Sequence, residues 1–182
     1  MAKRKKRLVL ADITVVAMFI ALGTALSFFV VQIPIGGVLI KQFSVWLITL
    51  YAVTLLYGAP VGMAAGFLCD LLSTVFNPSG GAYNPAFAAA HIIAPIIIWL
   101  ISGVLLKKTR GFIKYPVTVL VTQAFVYLPI NTLLIWFFFS TKGFFELLVT
   151  RSISLIVEIP VFSLLLIAIM PILQKLKNKL HS

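Results

Sequence analysis

The chain has 182 residues, of which 62% are hydrophobic and 10% are charged, and its mean hydropathy is +1.13. A water-soluble domain is about half apolar and about a quarter charged, so this composition excludes an ordinary soluble fold and predicts a protein solvated largely by lipid. The net charge of +11 raises the question of nucleic-acid binding. The placement of the charges, given below, argues against a nucleic-acid partner.

Six apolar segments, taken in chain order, are long enough or nearly long enough to cross a bilayer as helices, which takes about 20 residues. They cover roughly 8–31, 42–57, 60–76, 84–106, 116–139 and 147–173. A basic segment (1–7) precedes them and a basic tail (174–182) follows them. The predicted fold class is therefore an all-α integral membrane protein with a single six-helix membrane domain over residues 1–182.

The Lys and Arg residues are divided unequally between the two sides that six spans define. Three lie on one side, Lys41, Lys142 and Arg151. Twelve of the fifteen lie on the other, at both termini and in the fourth connection: Lys3, Arg4, Lys5, Lys6, Arg7, Lys107, Lys108, Arg110, Lys114, Lys175, Lys177 and Lys179. Since cytoplasmic loops are rich in Lys and Arg, both termini are predicted to be cytoplasmic. The net positive charge then reflects topology and contact with anionic lipid.

Polar residues recur at helical spacing within these apolar spans, where they are costly and usually face the protein interior. Helix two is predicted to open with Lys41 and Gln42, followed by Trp46. Helices four, five and six carry one stripe each: Asn84, Phe87 and His91 in helix four, Gln123, Tyr127 and Asn131 in helix five, and Arg151, Ser154 and Glu158 in helix six. Most of these residues lie in the outer half of the membrane. Their convergence predicts a polar small-molecule cavity open to the outside.

Several of these residues have a purely structural alternative. Arg151 and Glu158 could pair with each other or with helix ends. His91 could be an internal hydrogen-bonding residue, and Gln123 could bridge helices. Asp70, on helix three, is interpreted as a residue that caps or bridges helices.

Small residues form two further stripes. Ala17, Ala21 and Ala25 recur every four residues on helix one, and helix three carries Gly58, Gly62 and Gly66 at the same spacing. Small residues let membrane helices approach closely. For helix one this leaves two interpretations, packing inside the bundle or a docking face for another membrane protein.

The chain carries no catalytic motif such as a metalloprotease helix, a nucleophile elbow or a phosphate-binding loop. Its four acidic residues include no pair with the spacing of a catalytic dyad or of metal ligands. We therefore expect a non-catalytic protein with no metal or cofactor of its own. The alternatives are a small membrane-embedded enzyme or an oligomeric channel.

Three stretches resemble a known family over nearly the whole chain. They are the alanine stripe of helix one, "YGAPVGMAAGFLCDLLSTVFNPSGGAYNPAF", and "KGFFELLVTRSISLIVEIP". Together they resemble the substrate-capture subunit, or S component, of an energy-coupling factor (ECF) vitamin transporter, in its folate-type branch. The resemblance implies an ABC importer whose partners are a transmembrane coupling subunit, docked by Ala17, Ala21 and Ala25, and two cytoplasmic ATPases that use the ATP.

The resemblance also implies roles for individual residues. The extracellular segment 77–84 would gate the site through Pro78, Gly80 and Gly81. Residues expected to bind the vitamin are Lys41, Gln42, Tyr83, Asn84, Phe87, His91, Tyr127, Asn131, Arg151 and Glu158. Folate carriers usually have Gly and Thr where this chain has Ala86 and Ala88. Pantothenate is slightly favoured, since two cations face outward, followed by hydroxymethylpyrimidine or folate.

Overall fold

The structure, a computed structural model, describes residues 10–35, 38–76, 84–139 and 143–180, with the backbone alone described for the strand residues among 30–44. The seven α-helices of this part are α1 (Leu10–Ser27), α2 (Leu47–Tyr57), α3 (Ala59–Phe76), α4 (Ala88–Trp99), α5 (Gly111–Thr122), α6 (Leu128–Phe139) and α7 (Phe144–Leu180). A π-helical segment, Leu100–Leu105, extends α4, and another, Gln123–Tyr127, joins α5 to α6. The prediction that the domain is built of helices is confirmed for the described part.

Five of the helical rods in the described part are long and apolar enough to cross a membrane: Leu10–Ser27, Ala59–Phe76, Ala88–Leu105, Gly111–Phe138 and Phe144–Leu180. The remaining helix, α2, has only 11 residues, or about 16 Å at 1.5 Å per residue. It is also the centre of the core, since most of its residues are buried. Large side chains of α7, among them Phe162, Leu166 and Met170, are fully buried in the same core.

The connection between α1 and α2 is a β-hairpin, whereas the sequence predicted an all-α protein. Strands β1 (Val30–Ile35) and β2 (Val38–Ser44) pair antiparallel, with a register irregularity between Ile33 and Pro34. The hairpin therefore shortens the first two predicted spans: α1 ends at Ser27 instead of 31, and α2 begins at Leu47 instead of 42. The segment is rich in Val and Ile, which suit a pleated strand.

Two further boundaries differ from the prediction. Helix α4 begins at Ala88 rather than 84, because residues 84–87 form a turn in which the Phe87 N–H donates to the Asn84 carbonyl at 3.1 Å. The predicted tail from 174 onward is helical as far as Leu180. At 37 residues, α7 is about 54 Å long, well beyond the roughly 30 Å of a bilayer core.

The rods run alternately up and down, so that the bundle has two ends. We call the end with the hairpin, the last turn of α3 and the turn before α4 the hairpin end, and the end with residues 106–110 and the last turns of α7 the basic end. Gly58, at φ 91°, is the single residue between α2 and α3 at the basic end. An L side chain rarely adopts that backbone angle, which explains glycine there.

Polar contacts tie three helices together at the basic end. Asp12, in the first turn of α1, is buried and hydrogen-bonds the Tyr57 side chain. The Lys177 ammonium of α7 lies 4.0 Å from the centre of the Tyr57 ring and donates to the Leu56 carbonyl at the end of α2. These contacts hold α1 against α2 and α7 at this end.

Helices α3 and α4 are packed most closely, and glycines make this possible. A Cβ atom added at Gly66 would lie 2.5 Å from the His91 carbonyl oxygen and 3.0 Å from Leu50 Cδ1. One added at Gly62 would collide with the Thr54 hydroxyl and lie 3.0 Å from Pro95 Cβ. The backbones of the two helices therefore touch at a distance that only glycine permits, and this contact brings Asp70 beside His91.

Candidate functional site

Polar side chains from three helical rods meet inside the bundle around His91. The imidazole Nε2 lies 3.5 Å from Asp70 Oδ1 of α3, and Nδ1 lies 3.4 Å from the hydroxyl of Tyr127 in the second π-helical segment. His91 was predicted to line a site, and Asp70 was predicted to cap or bridge helices. The geometry places both in one hydrogen-bonding group that joins α3, α4 and the α5–α6 rod.

Trp46 covers the His91 ring. Its indole is edge-on to the imidazole, with ring centroids 4.7 Å apart, and only 6% of the residue is exposed. Trp46 comes directly before α2 and after β2. Trp46 was predicted to follow Lys41 and Gln42 on helix two and was not among the predicted binding residues.

The polar group continues across the bundle to α7. Tyr127 lies within electrostatic range of Tyr51 on α2, and Tyr51 lies within the same range of Glu158. Glu158 in turn interacts electrostatically with Arg151, two turns earlier on α7. We call these residues the polar chain: Asp70, His91, Tyr127, Tyr51, Glu158 and Arg151. It runs from α3 to α7 through an otherwise apolar interior.

Buried polar atoms without a hydrogen-bond partner in the described part of the chain accompany the polar chain. Among them are Nε2 of Gln123, Oδ1 of Asn131, Oγ1 of Thr132 and Nε of Arg151. Leaving a buried donor or acceptor unsatisfied costs about 1–3 kcal/mol, so native proteins rarely tolerate several of them without a role. This set includes both donors and acceptors, which suits recognition of a polar molecule. Gln123 was expected to bridge helices, and Asn131 was expected to bind ligand.

Gln123 and Tyr127, both buried, are the first and last residues of the second π-helical segment. The Leu128 N–H donates to the Gln123 carbonyl five residues earlier, a π-type bond. Pro129 follows at once, and a proline inside a helix removes one backbone donor and displaces the carbonyl four residues before it. The wider turn accommodates this proline. Single π turns of this kind are frequent at functional sites.

The predicted stripe at the start of helix four is not a helical face. Asn84 lies in the turn before α4, and its Oδ1 accepts a hydrogen bond from the Ala86 N–H at 3.0 Å. Phe87 is the N-cap residue of α4. Only His91 of this stripe is within the helix, three residues after its start. The side-chain oxygen of Asn84 was predicted to contact ligand. In the structure it stabilises the turn before α4.

The side chains of six other predicted residues lie outside the part of the chain that the structure describes. Lys41 and Gln42 belong to β2, where their backbones pair with Ile33 and Gln32, and not to the start of a helix. Their side chains lie outside the described residues. So do four residues of the predicted gating segment, Pro78, Gly80, Gly81 and Tyr83.

The alanine stripe of helix one faces away from the bundle. Ala17, Ala21 and Ala25 are all exposed, and the neighbouring side chains Met18 and Leu22 are 66% and 50% exposed. The buried residues of α1 are Asp12, Gly23 and Thr24 on another side. Only 17% of this rod is buried, against 44% of the Ala88–Leu105 rod. Of the two interpretations of the stripe, packing inside the bundle therefore does not hold.

An apolar cleft lies between α1, α2 and α3, separate from the polar chain. It is lined by Phe19, Ile20, Thr49, Leu50, Val53, Ala65 and Cys69, and it is too narrow to hold a water molecule.

These features define a multi-pass helical membrane protein with a buried polar chain and an exposed stripe of small residues on its first helix. Comparison with known proteins adds no identification, because no protein-family model matches the chain and no similar sequence was found among curated proteins.

Proposed function

We propose that this chain is the substrate-capture S component of an ECF-type ABC importer for a water-soluble vitamin or vitamin precursor. The observation that carries the proposal is the polar chain, accompanied by the unpartnered buried atoms of Gln123, Asn131 and Arg151. A polar site inside apolar walls is the usual design of a small-molecule pocket. Pantothenate, hydroxymethylpyrimidine and folate are the candidate ligands.

The proposed topology has six spans, with both termini in the cytoplasm of a prokaryotic cell. Twelve of the fifteen Lys and Arg residues then face the cytoplasm, as the positive-inside rule expects. The sixth span is α2, which is short and largely buried among other helices. Because protein rather than lipid surrounds it, α2 does not need the full length of a lipid-exposed span.

The ligand enters from the hairpin end, which this topology makes extracellular. The β-hairpin and the predicted gating segment 77–84 are the two connections there that would close over it. Beneath these connections, the ligand contacts His91 of α4, Asn131 of the α5–α6 rod and Glu158 of α7. The chain itself performs no chemistry in this mechanism.

Delivery requires partners. The exposed alanine stripe supports docking of α1 onto a transmembrane coupling subunit, because a flat surface of small residues permits close helix contact in lipid. Two cytoplasmic ATPases supply the energy, and the capture subunit tips within the membrane to release the ligand inside.

The proposal is tested by equilibrium binding of the three candidate ligands to the purified chain in lipid nanodiscs. We expect at least one to bind with Kd below about 10 μM. Arg151→Ala and Asn131→Ala should each weaken that binding about tenfold or more, since each removes a polar partner in a buried site. Phe137→Ala is the matched control, because Phe137 is 71% exposed on the lipid side of α6, and it should leave Kd unchanged.

Failure of all three ligands to bind below this concentration would contradict the capture function. Equal loss of affinity in Phe137→Ala would instead show that the variants act through stability.

A further inference from the structure

Asp70 lies beside the polar edge of His91 because of the way α3 and α4 pack. Gly66 and Asp70 are four residues apart on α3, so they lie on one face of the helix. A Cβ atom added at Gly66 would be 2.5 Å from the His91 carbonyl oxygen, which shows that this face of α3 touches the His91 backbone. One turn further along, the Asp70 Oδ1 atom is 3.5 Å from His91 Nε2.

The two ring nitrogens of His91 face different partners. Nε2 faces the Asp70 carboxylate, and Nδ1 faces the Tyr127 hydroxyl at 3.4 Å. Trp46 packs edge-on against the imidazole, with ring centroids 4.7 Å apart, and restrains the ring between these two partners. The side chains of His91 and Asp70 are only 12% and 15% exposed, so water competes little for either contact.

The chemistry of these partners decides where the proton of a neutral imidazole lies. An ionised carboxylate only accepts hydrogen bonds, whereas a hydroxyl both donates and accepts them. The contact with Asp70 therefore requires the proton on Nε2. The unprotonated Nδ1 then accepts a hydrogen bond from the Tyr127 hydroxyl, because the partner of one ring nitrogen sets the role of the other.

We infer that Asp70 is a positioning residue that holds His91 with its proton on Nε2, so that Tyr127 donates to Nδ1 and offers the ligand an acceptor oxygen. The inference rests on the proposed capture function, in which His91 and Tyr127 bind the vitamin. Because the hydroxyl proton of Tyr127 is taken up by His91, the ligand must present an N–H or O–H donor to this oxygen. Asp70 thereby sets the specificity of the site without touching the ligand.

The first measurement is nitrogen NMR of isotope-labelled histidine, in which a protonated and an unprotonated ring nitrogen have distinct shifts. The chain has two histidines, so His181→Gln leaves His91 as the single labelled residue. In the full chain in nanodiscs, near neutral pH and without ligand, we expect a protonated Nε2 and an unprotonated Nδ1. A proton on Nδ1, alone or together with one on Nε2, would overturn the inference.

Variants of Asp70 separate positioning from support of the fold. Asp70→Ala removes the acceptor, and Tyr127 alone can donate or accept, so both tautomers of His91 should become populated. Asp70→Asn keeps a side-chain oxygen that accepts from Nε2–H and should retain the wild-type spectrum. Glu146→Ala is the matched control, because it removes a carboxylate from an exposed position, and it should change nothing. The wild-type spectrum decides the inference even if Asp70→Ala does not fold.

The second measurement is equilibrium binding of pantothenate, hydroxymethylpyrimidine and folate to the same proteins. For a vitamin that binds the wild type, Asp70→Ala should weaken the affinity about tenfold, since the hydrogen bond from the ligand to Tyr127 is no longer enforced. Asp70→Asn should restore most of that affinity. Tyr127→Phe should weaken binding by a similar factor but leave the proton of His91 on Nε2, because Asp70 is still present.

The outcomes separate the inference from the function on which it rests. If a vitamin binds and Asp70→Ala folds but keeps either the wild-type spectrum or the wild-type affinity, Asp70 has no positioning role, while capture stands. If none of the three vitamins binds the wild type, the capture function is overturned, whereas the ligand-free spectrum still decides how Asp70 holds His91.

Discussion

The two stripes of small residues, one on α1 and one on α3, have the same spacing and opposite positions. Gly62 and Gly66 face inward and bring α3 against α2 and α4, so close that an added Cβ would meet neighbouring atoms. Ala17, Ala21 and Ala25 face outward and contact no helix of the bundle closely enough to be buried. A four-residue repeat of small residues therefore indicates a packing face but does not say whether the partner is in the same chain.

The residue type makes the difference between the stripes. Glycine has no Cβ, so it allows backbone contact that no other residue tolerates. Alanine keeps its Cβ and leaves a smooth, slightly raised surface. The glycine stripe thus permits the close contacts of α3 with α2 and α4, whereas the alanine stripe is exposed on the described part of the bundle. The predictions below test this contrast, in descending order of their effect on the stability of the isolated chain.

The largest effect is expected for Gly66→Val. The new Cβ would lie 2.5 Å from the His91 backbone oxygen, and backbone cannot move aside as a side-chain tip can. We expect a loss of about 3 kcal/mol or more, or no folded protein, measured by unfolding in detergent. Ala64→Val, at an exposed position of the same helix, should change stability little. A Gly66→Val protein as stable as the wild type would contradict the close α3–α4 contact.

A smaller loss, about 1–3 kcal/mol, is expected for Gly62→Ala. Its Cβ would collide with the Thr54 hydroxyl, which is held by a 2.7 Å hydrogen bond to the Leu50 carbonyl. Thr54→Ala removes that hydroxyl, so the double variant should recover part of the loss. A double-mutant cycle in the same unfolding assay measures the coupling. Strict additivity would show that the two residues do not touch.

The fold shows which parts of this architecture the sequence can predict. Long apolar runs predicted the helical rods, because in lipid the backbone must satisfy its own hydrogen bonds. The β-hairpin was missed because its apolar residues looked like extensions of two spans. A signal was present: two adjacent glycines, residues 36–37, lie between runs rich in Val and Ile, a pattern typical of hairpins.

The site was predictable only where helical spacing held. His91, Tyr127, Arg151 and Glu158 lie within helical rods, and they belong to one polar chain. Asn84 was misassigned because the helix starts four residues later than predicted. Gln123 was placed on the interior face with Tyr127 by the same spacing, and both are buried. The position of Trp46, between β2 and α2, could not be predicted because the hairpin was missed.

A still smaller effect, below about 1 kcal/mol, is expected for Gly23→Ala on the inner side of α1. Its Cβ would lie 2.6 Å from the Thr49 hydroxyl and 3.0 Å from Cys69 Sγ, and the Thr49 hydroxyl is held by a 2.7 Å hydrogen bond to the Trp46 carbonyl, as that of Thr54 is to Leu50. The difference lies in the helix: α1 is exposed on its other side, so it can shift outward. Unfolding experiments on Gly23→Ala and Gly62→Ala, run together, test whether α1 is held more loosely. An equal or greater loss at Gly23 would contradict that difference.

The smallest effect on stability, close to zero, is expected for Ala21→Trp, which should nevertheless abolish uptake. A Trp at this exposed position extends into lipid and disturbs no internal contact, but it blocks the close approach of a partner helix. Ligand affinity of the purified protein should be unchanged, while vitamin uptake by cells that express it should be lost. Ala168→Trp, at an exposed alanine of α7, is the matched control and should preserve both. If Ala21→Trp loses ligand binding as well, α1 supports the fold rather than a partner, and the contrast between the two stripes disappears.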